Sequence, residues 1–376
     1  MTPVKRASLN AEVLRRQLLG WYTTNRRELP WRRSRDPYFI WISEIMLQQT
    51  RVAVVIDRFK EFVQRFPTIA SLARATEQEV LALWSGLGYY RRARMLHQAA
   101  KFVAAHRQGK LPVTAEELRE LPGIGGYTAA AIASIAHGEP EAVVDGNVAR
   151  VLARIGAIQG DLRETRKWQD LEDRANRLLD RNVPGDWNQA MMELGATICT
   201  PRAPQCLLCP VSAHCEGRKL GIAEGLPESG KKQELVDVNL VALVLANPKG
   251  ETLLLPPPSI KNPDSIPDHI PTLIANLWHF PTASTKGVPL ATAHEAWRKI
   301  NRGQKFPEGS KALQMVRHAV TFRKVTVHGF LVPVGRLPKV KDAKILDLHG
   351  VTNQAVSNLT RKIADRALAV LDTKPQ

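Results

Sequence analysis

Cysteine is scarce in this 376-residue chain: there are four, and none lies outside residues 199–215. Thiols gathered so tightly do not describe a small secreted scaffold stapled by disulfides, and the chain is long enough to bury a sizeable core without staples. The opening MTPVKRASLN has no apolar signal segment, so a cytoplasmic setting is expected, with association to the nucleoid if the source is bacterial. No run approaches the ~18 apolar residues that span a bilayer, and no membrane partner is expected. Internal repeats and long low-complexity tracts are also missing. Acidic residues are in deficit: 36 Asp and Glu face 53 Lys and Arg, which gives a net charge of +17. The excess runs along the chain rather than in a tail. Such a field attracts polyanions, of which nucleic acid is the commonest. A ribosome-associated protein, a membrane-surface binder and a merely basic surface are the alternatives. The membrane version finds no long basic amphipathic helix flanked by lipidation signals.

The cysteines themselves are Cys199, Cys206, Cys209 and Cys215, spaced C-x6-C-x2-C-x5-C. Clustered thiols in a reducing compartment usually mean a metal. Four thiolates suit tetrahedral zinc or an iron–sulfur cube. Zinc sites commonly use two Cys-x2-Cys knuckles and only one is present, but spacing by itself does not name the metal.

The length suggests two or three domains. From residue 9 to 215 the periodicity is helical: Leu14, Leu18 and Trp21 share one stripe, and Val55, Phe59 and Phe62 share another. Thr76 with Glu79, and Thr114 with Glu117, have capping-box spacing. Residues 165–182 and 186–198 read as further helices. Residues 216–238 are polar and Gly-bearing, as a linker is. Beyond them, VDVNLVALVLANPKGETLLL reads as two strands with a turn at Asn247–Gly250. KVTVHGFLVPV is another strand, and AVSNLTRKIADRALAVL a closing helix. The expectation is an all-α domain over 9–215, a linker over 216–238 and an α+β domain over 239–370.

Residues 121–152, LPGIGGYTAAAIASIAHGEPEAVVDGNVARVL, hold the chemistry. The turn with Gly123 and Gly125 permits positive φ and leaves N–H groups uncovered at a helix N-terminus, which suits a phosphate. Alone it is only a turn; beside the basic field it reads as a helix–hairpin–helix DNA clamp. Asp145 has the position of a helix N-cap, and Asn147 that of a turn residue. Glu44, in PYFIWISEIMLQQT, has Ile40, Trp41 and Leu47 as helical neighbours. An acid on an apolar face keeps its proton more tightly, as a general acid near neutral pH must. A Glu that snorkels or pairs with Arg51 fits the pattern equally well.

SEIMLQQT, GLGYYRRARMLH, LPGIGGYTAAAI, VDGNVARV and the cysteine spacing together resemble the adenine DNA glycosylases of the endonuclease III superfamily. The resemblance runs from about Trp21 to Cys215. It implies an all-α helix–hairpin–helix glycosylase domain with a [4Fe–4S] cluster loop, followed by an α+β Nudix-like domain. It implies monomeric action on double-stranded DNA carrying adenine opposite 8-oxoguanine or guanine. Glu44 would protonate adenine at N7, Asp145 would stabilise the sugar cation either electrostatically or through a transient covalent adduct, Asn147 would hold the acid–water network, and Tyr127 would support the sugar and its carboxylate. Trp31, Arg32 and Gln189 would line the adenine pocket; Gln49 and Tyr89 would wedge into the duplex. The four cysteines would ligate the cluster and brace a loop presenting Arg202 to the DNA backbone. Lytic relatives carry a lysine where Tyr127 stands, which implies a glycosylase without strand cleavage.

Aligned with the same family, RHAVTF places Val320, Thr321 and Phe322 where relatives have a Phe-Ser-His turn that probes the lesion. A hydroxyl is kept and a histidine is replaced by an aromatic surface. The G-x5-E-x7-R-E-x2-E-E pattern that holds Nudix metals is missing from the second domain, so pyrophosphatase activity is not expected. A bifunctional pyrimidine-lesion glycosylase and a non-enzymatic DNA-binding protein are the other readings.

Overall fold

A computed structural model describes residues 11–228, 234–257, 277–301, 303–320 and 322–372. They fall into two compact units, Met1–Arg74 with Met95–Lys232, and Ala75–Arg94 with Gln233–Gln376. Up to residue 228 the elements are helical: α1 (Ala11–Asn25), α2 (Pro37–Leu47), α3 (Val52–Arg65), α4 (Ile69–Arg74), α5 (Glu77–Leu83), α6 (Arg91–His106), α7 (Ala115–Arg119), α8 (Gly126–His137), α9 (Gly146–Ile155), α10 (Thr165–Leu178), α11 (Pro184–Thr197) and α12 (Glu216–Lys219). The expected stripe of α1 is present and one residue wider: Leu14, Leu18 and Tyr22 are buried, and the partly covered Trp21 packs against the same core, as i, i+4, i+7 and i+8 on one helix face do. Leu14, Leu18 and Tyr22 share one core with Val148, Val151 and Leu152 of α9 and Trp187 and Leu194 of α11. Each aliphatic side chain so covered contributes ~1.5–3 kcal/mol. The α3 stripe is as expected. Thr76 and Glu79 close a full capping box, and the Thr114 hydroxyl caps α7.

Of the residues expected to be linker, the described stretch 216–228 folds onto the helical unit. Arg154, buried in α9, donates from Nε to the Leu226 carbonyl at 2.8 Å, and a Cβ at Gly217 would meet the Arg154 carbonyl at 2.7 Å. Gly-bearing polar composition here serves close packing.

The second unit is α+β. Strand β1 (Val236–Ala246) runs parallel to β6 (Arg323–Pro333), with Leu240 opposite Val327. β3 (Thr282–Ser284) flanks β1, while β4 (Lys311–Ala312) and β5 (Val316–Val320) pair with β6. Helix α14 (Asn358–Asp372) covers one face through Leu359, Ile363 and Ala367 against Val238, Leu240 and Val244. Helix α13 (Pro289–Ile300) covers the other through Ala293 and Trp297 against Val241, Leu243 and Leu245. Burial on both faces explains why β1 reads as a continuous apolar run. The turn at Asn247–Gly250 is present, but its strands form no ladder with each other: β2 (Glu251–Leu254) pairs with β7 (Lys344–Asp347).

Candidate active site

A cleft of about 800 Å³ opens in the helical unit. The short 3-10 turn Pro30–Arg32 contributes Trp31 and Arg32, α2 contributes Glu44, α8 Tyr127, the start of α9 Asp145 and Asn147, and α11 Gln189. Gln49, just past α2 and held at a left-handed φ of 55°, is at its rim. Eight residues singled out in the sequence therefore share one cavity.

Glu44 is 5% exposed. Its Oε2 accepts from the Tyr127 hydroxyl at 2.5 Å, so tyrosine rather than Arg51 is its partner. Burial, helped by the charge of Asp145, pushes the Glu44 carboxyl up to about 7, although Tyr127 and Arg32 pull it down. The buried Tyr127 phenol is pushed well above its ordinary value by desolvation and then by both carboxylates, so it stays a donor. Helix α8 begins at Gly126, which makes Tyr127 its second residue.

Asp145 does fill the N-cap position. Its Oδ1 accepts from the Val148 N–H at 2.7 Å, while Oδ2 accepts from the Asn147 amide at 2.9 Å. A carboxylate so held has a fixed orientation beside the cleft. Asn147 is itself held, since its Oδ1 accepts from Arg150 Nη2 at 2.8 Å. Arg150 also donates to the carbonyls of Gly195 and Cys199, both at 2.8 Å. A Cβ on Gly195 would lie 2.7 Å from that of Asn147, so α11 reaches α9 this closely only with glycine.

Sequence reasoning missed Glu193, Arg27 and Arg150. Glu193 accepts from Arg27 Nε at 2.6 Å and from Arg32 Nη2 at 2.8 Å, and so fixes the pocket arginine. Burial raises the Glu193 carboxyl, but the two guanidinium groups together outweigh it and the net shift is downward. Position gave one usable signal: Glu193 follows Gln189 by one helical turn and Arg150 follows Asn147 likewise.

The remaining sites are elsewhere. Gly123 has φ 77° and packs on Met95, whereas a Cβ at Gly125 would meet nothing within 4 Å. Arg202 is exposed in the turn before Cys206. Tyr89 belongs to the second unit and is 46% exposed. Val320 ends β5, and Phe322 follows at the tip of the β5–β6 hairpin with the Arg323 guanidinium 4.4 Å from its ring centre. Thr321 lies outside the described residues.

Cys199, Cys206, Cys209 and Cys215 line one small cavity with Val151, Ile155 and Leu194, and none is in a disulfide. Among the described residues no three His, Cys, Asp or Glu close around a single metal ion. Arg154 Nη1 donates to Cys199 Sγ at 3.3 Å. Four thiols round an apolar cavity, with a cationic donor on one sulfur, are a donor set that fits an anionic thiolate-bound cluster.

Residues 42–175 match the HhH-GPD superfamily of base excision DNA repair proteins. The chain is 48% identical over 239 residues to an adenine DNA glycosylase of Homo sapiens, covering 61% of this chain and 44% of that protein. It is 41% identical over 210 residues to an adenine DNA glycosylase of Mycolicibacterium smegmatis, covering 56% of this chain and 71% of that one. The chain thus spans less than half of the human relative's length. Among solved structures, a thermostable thymine-DNA glycosylase aligns with a TM-score of 0.52 at 30% identity, over 56% of this chain and 97% of its own.

Proposed function

We propose a function from one premise: this chain belongs to the adenine DNA glycosylases of the endonuclease III superfamily. Its activity is removal of adenine from duplex DNA by hydrolysis of the N-glycosidic bond, as a step of base excision repair. The observation that carries this reading is the pairing, in one cleft, of a buried Glu44 with a carboxyl at about 7 and an Asp145 fixed by two hydrogen bonds.

Adenine must leave the stack to reach the cleft, at ~a few kcal/mol. Trp31, Arg32 and Gln189 receive it, with Arg32 oriented by Glu193. An adenine anion is a poor leaving group, so Glu44 delivers a proton to N7 as the bond to C1′ lengthens. Tyr127 occupies Oε2, which leaves the acidic proton on Oε1. The sugar becomes oxocarbenium-like, and the Asp145 charge stabilises it as in other glycoside hydrolyses. Asn147 keeps that carboxylate aimed, and a water completes the reaction. No amine stands at Tyr127, so the cleft has no group there to form a Schiff base and cleave the strand.

The uncovered turn at Gly125 and the N–H groups at the start of α8 suit a phosphate, as does Arg202. Gln49 and Tyr89 are each suited to wedge into the duplex. The four cysteines would hold a [4Fe–4S] cluster, which when bound cross-links the loop that carries Arg202. The second unit is Nudix-like in role as a reader of 8-oxoguanine, with Val320, Thr321 and Phe322 at the contact. Excision from duplexes carrying adenine opposite 8-oxoguanine, guanine or thymine tests the reading. Release of free adenine with the strand intact, fastest opposite 8-oxoguanine, is expected; no release from any pair overturns it.

A further inference from the structure

In the segment Ser85–Tyr90 one residue has a backbone that its side chain does not favour. Gly86, Gly88 and Tyr89 have φ of 102°, 69° and 47°, and only the first two are glycines. An aromatic residue stays in the left-handed region only where its surroundings over-determine it. Part of that restraint is local. Trp84 Nε1 donates to the Gly88 carbonyl at 3.1 Å, and Arg92 Nη2 to the carbonyls of Leu87 at 3.1 Å and Gly88 at 3.2 Å.

The rest comes from the far end of the chain, within the same compact unit. The Val356 carbonyl accepts from Ser85 Oγ at 3.1 Å and from the Tyr90 hydroxyl at 2.7 Å. Asn358 Nδ2 donates to the Gly86 carbonyl at 3.1 Å, and Arg361 Nη1 to Ser85 Oγ at 3.3 Å. Ser85 and Val356 are buried, so these bonds form away from competing water, whereas the Tyr89 ring is left 46% exposed. A rigid turn under an uncovered aromatic ring is the arrangement that base stacking requires.

We propose that Asn358 and the Val356 carbonyl are positioning groups for Tyr89, so that the C-terminal segment sets how this ring meets the duplex. This deepens the adenine glycosylase reading and rests on it. The second unit then acts on DNA in two ways, through its hairpin and through a turn supplied from residues 75–94.

The test is a cycle in the full chain: Tyr89→Ala, the pair Asn358→Ala with Tyr90→Phe, and all three together. The probe is a duplex with a tetrahydrofuran abasic analogue opposite 8-oxoguanine, and single-turnover adenine excision is followed beside it. Tyr89→Ala is expected to weaken binding roughly five- to hundredfold, as loss of one stacking contact does. In the Asn358→Ala/Tyr90→Phe background the same change should add less than about threefold, because the ring is already misplaced. Asn358→Asp, which has no donor for the Gly86 carbonyl, should behave as Asn358→Ala does. Amide exchange of residues 86–90 should quicken in these variants while the thermal midpoint of the helical unit stays put. Additive effects, or unchanged exchange over 86–90, overturn the proposal. A parent chain that binds and excises from none of the duplexes overturns the glycosylase reading and the DNA contact with it, while the exchange arm separately decides whether Asn358 holds the turn.

Discussion

Glu44→Gln separates catalysis from stability with opposite signs. The Glu44 carboxyl is raised from 4.5 to about 7, chiefly by burial. A tenfold change in proton affinity is worth about 1.4 kcal/mol, so ionised Glu44 costs the folded chain about 3 kcal/mol relative to its protonated form. The direction is fixed by the raised value: stability is intact below 4.5 and is lost as pH rises through about 7. Glutamine keeps an oxygen for the Tyr127 hydroxyl and cannot ionise. The variant should therefore match the parent near pH 4 and exceed it by up to about 3 kcal/mol near pH 8, a rise of several degrees in melting temperature. Excision should vanish at both pH values, because glutamine has no proton to deliver. Parent excision, in turn, should fall as pH climbs above about 7, where the acid empties. Thermal denaturation at the two pH values and single-turnover excision measure both arms. A variant no more stable than the parent near pH 8 would refute the desolvated acid, and retained excision would remove Glu44 from the chemistry.

Asp145→Asn should leave the melting temperature nearly unchanged, since asparagine caps a helix about as well as aspartate, yet abolish excision through loss of charge; surviving activity would reduce Asp145 to a cap. Tyr127→Lys should trap duplex DNA under borohydride while the parent does not, and trapping by the parent would contradict the absence of strand cleavage. Protein purified without air should be brown with about four irons per chain, and stoichiometric zinc instead would rule the cluster out. Phe322→His should sharpen preference for 8-oxoguanine over guanine by about tenfold or less, the worth of one hydrogen bond, in paired excision rates; no change in either rate would remove that position from lesion reading.

Local patterns were legible in the sequence. Apolar neighbours around Glu44 left a buried acid and a snorkelling or Arg51-paired one equally open, whereas the Asp145 position foretold its cap, and the Thr76 and Thr114 spacings foretold where α5 and α7 begin. Long-range partners were not legible. Glu193 meets Arg27 and Arg32 from 166 and 161 residues away, and no spacing rule reaches that far. The strands flanking Asn247–Gly250 looked like a hairpin because turn chemistry is local, whereas their pairing is decided by β6 and β7. The four cysteines announced one site by spacing, while Arg154, which ties their loop to α9, is one of many arginines in a basic chain.

The bonds that reach Ser85–Tyr90 from Val356, Asn358 and Arg361 join residues 266 to 276 positions apart. On a ribosome adding about 5–20 residues per second, the turn waits roughly 15–50 s for its acceptors and donors to be made. During that interval the nascent chain carries a glycine-rich aromatic loop without the bonds that Val356, Asn358 and Arg361 supply. Message cut short before the codon for Val356 would yield a product with every cleft residue and every cysteine in place. The turn under its Tyr89 would lack the Val356, Asn358 and Arg361 bonds, and degradation of such a product should begin with cleavage near that loop.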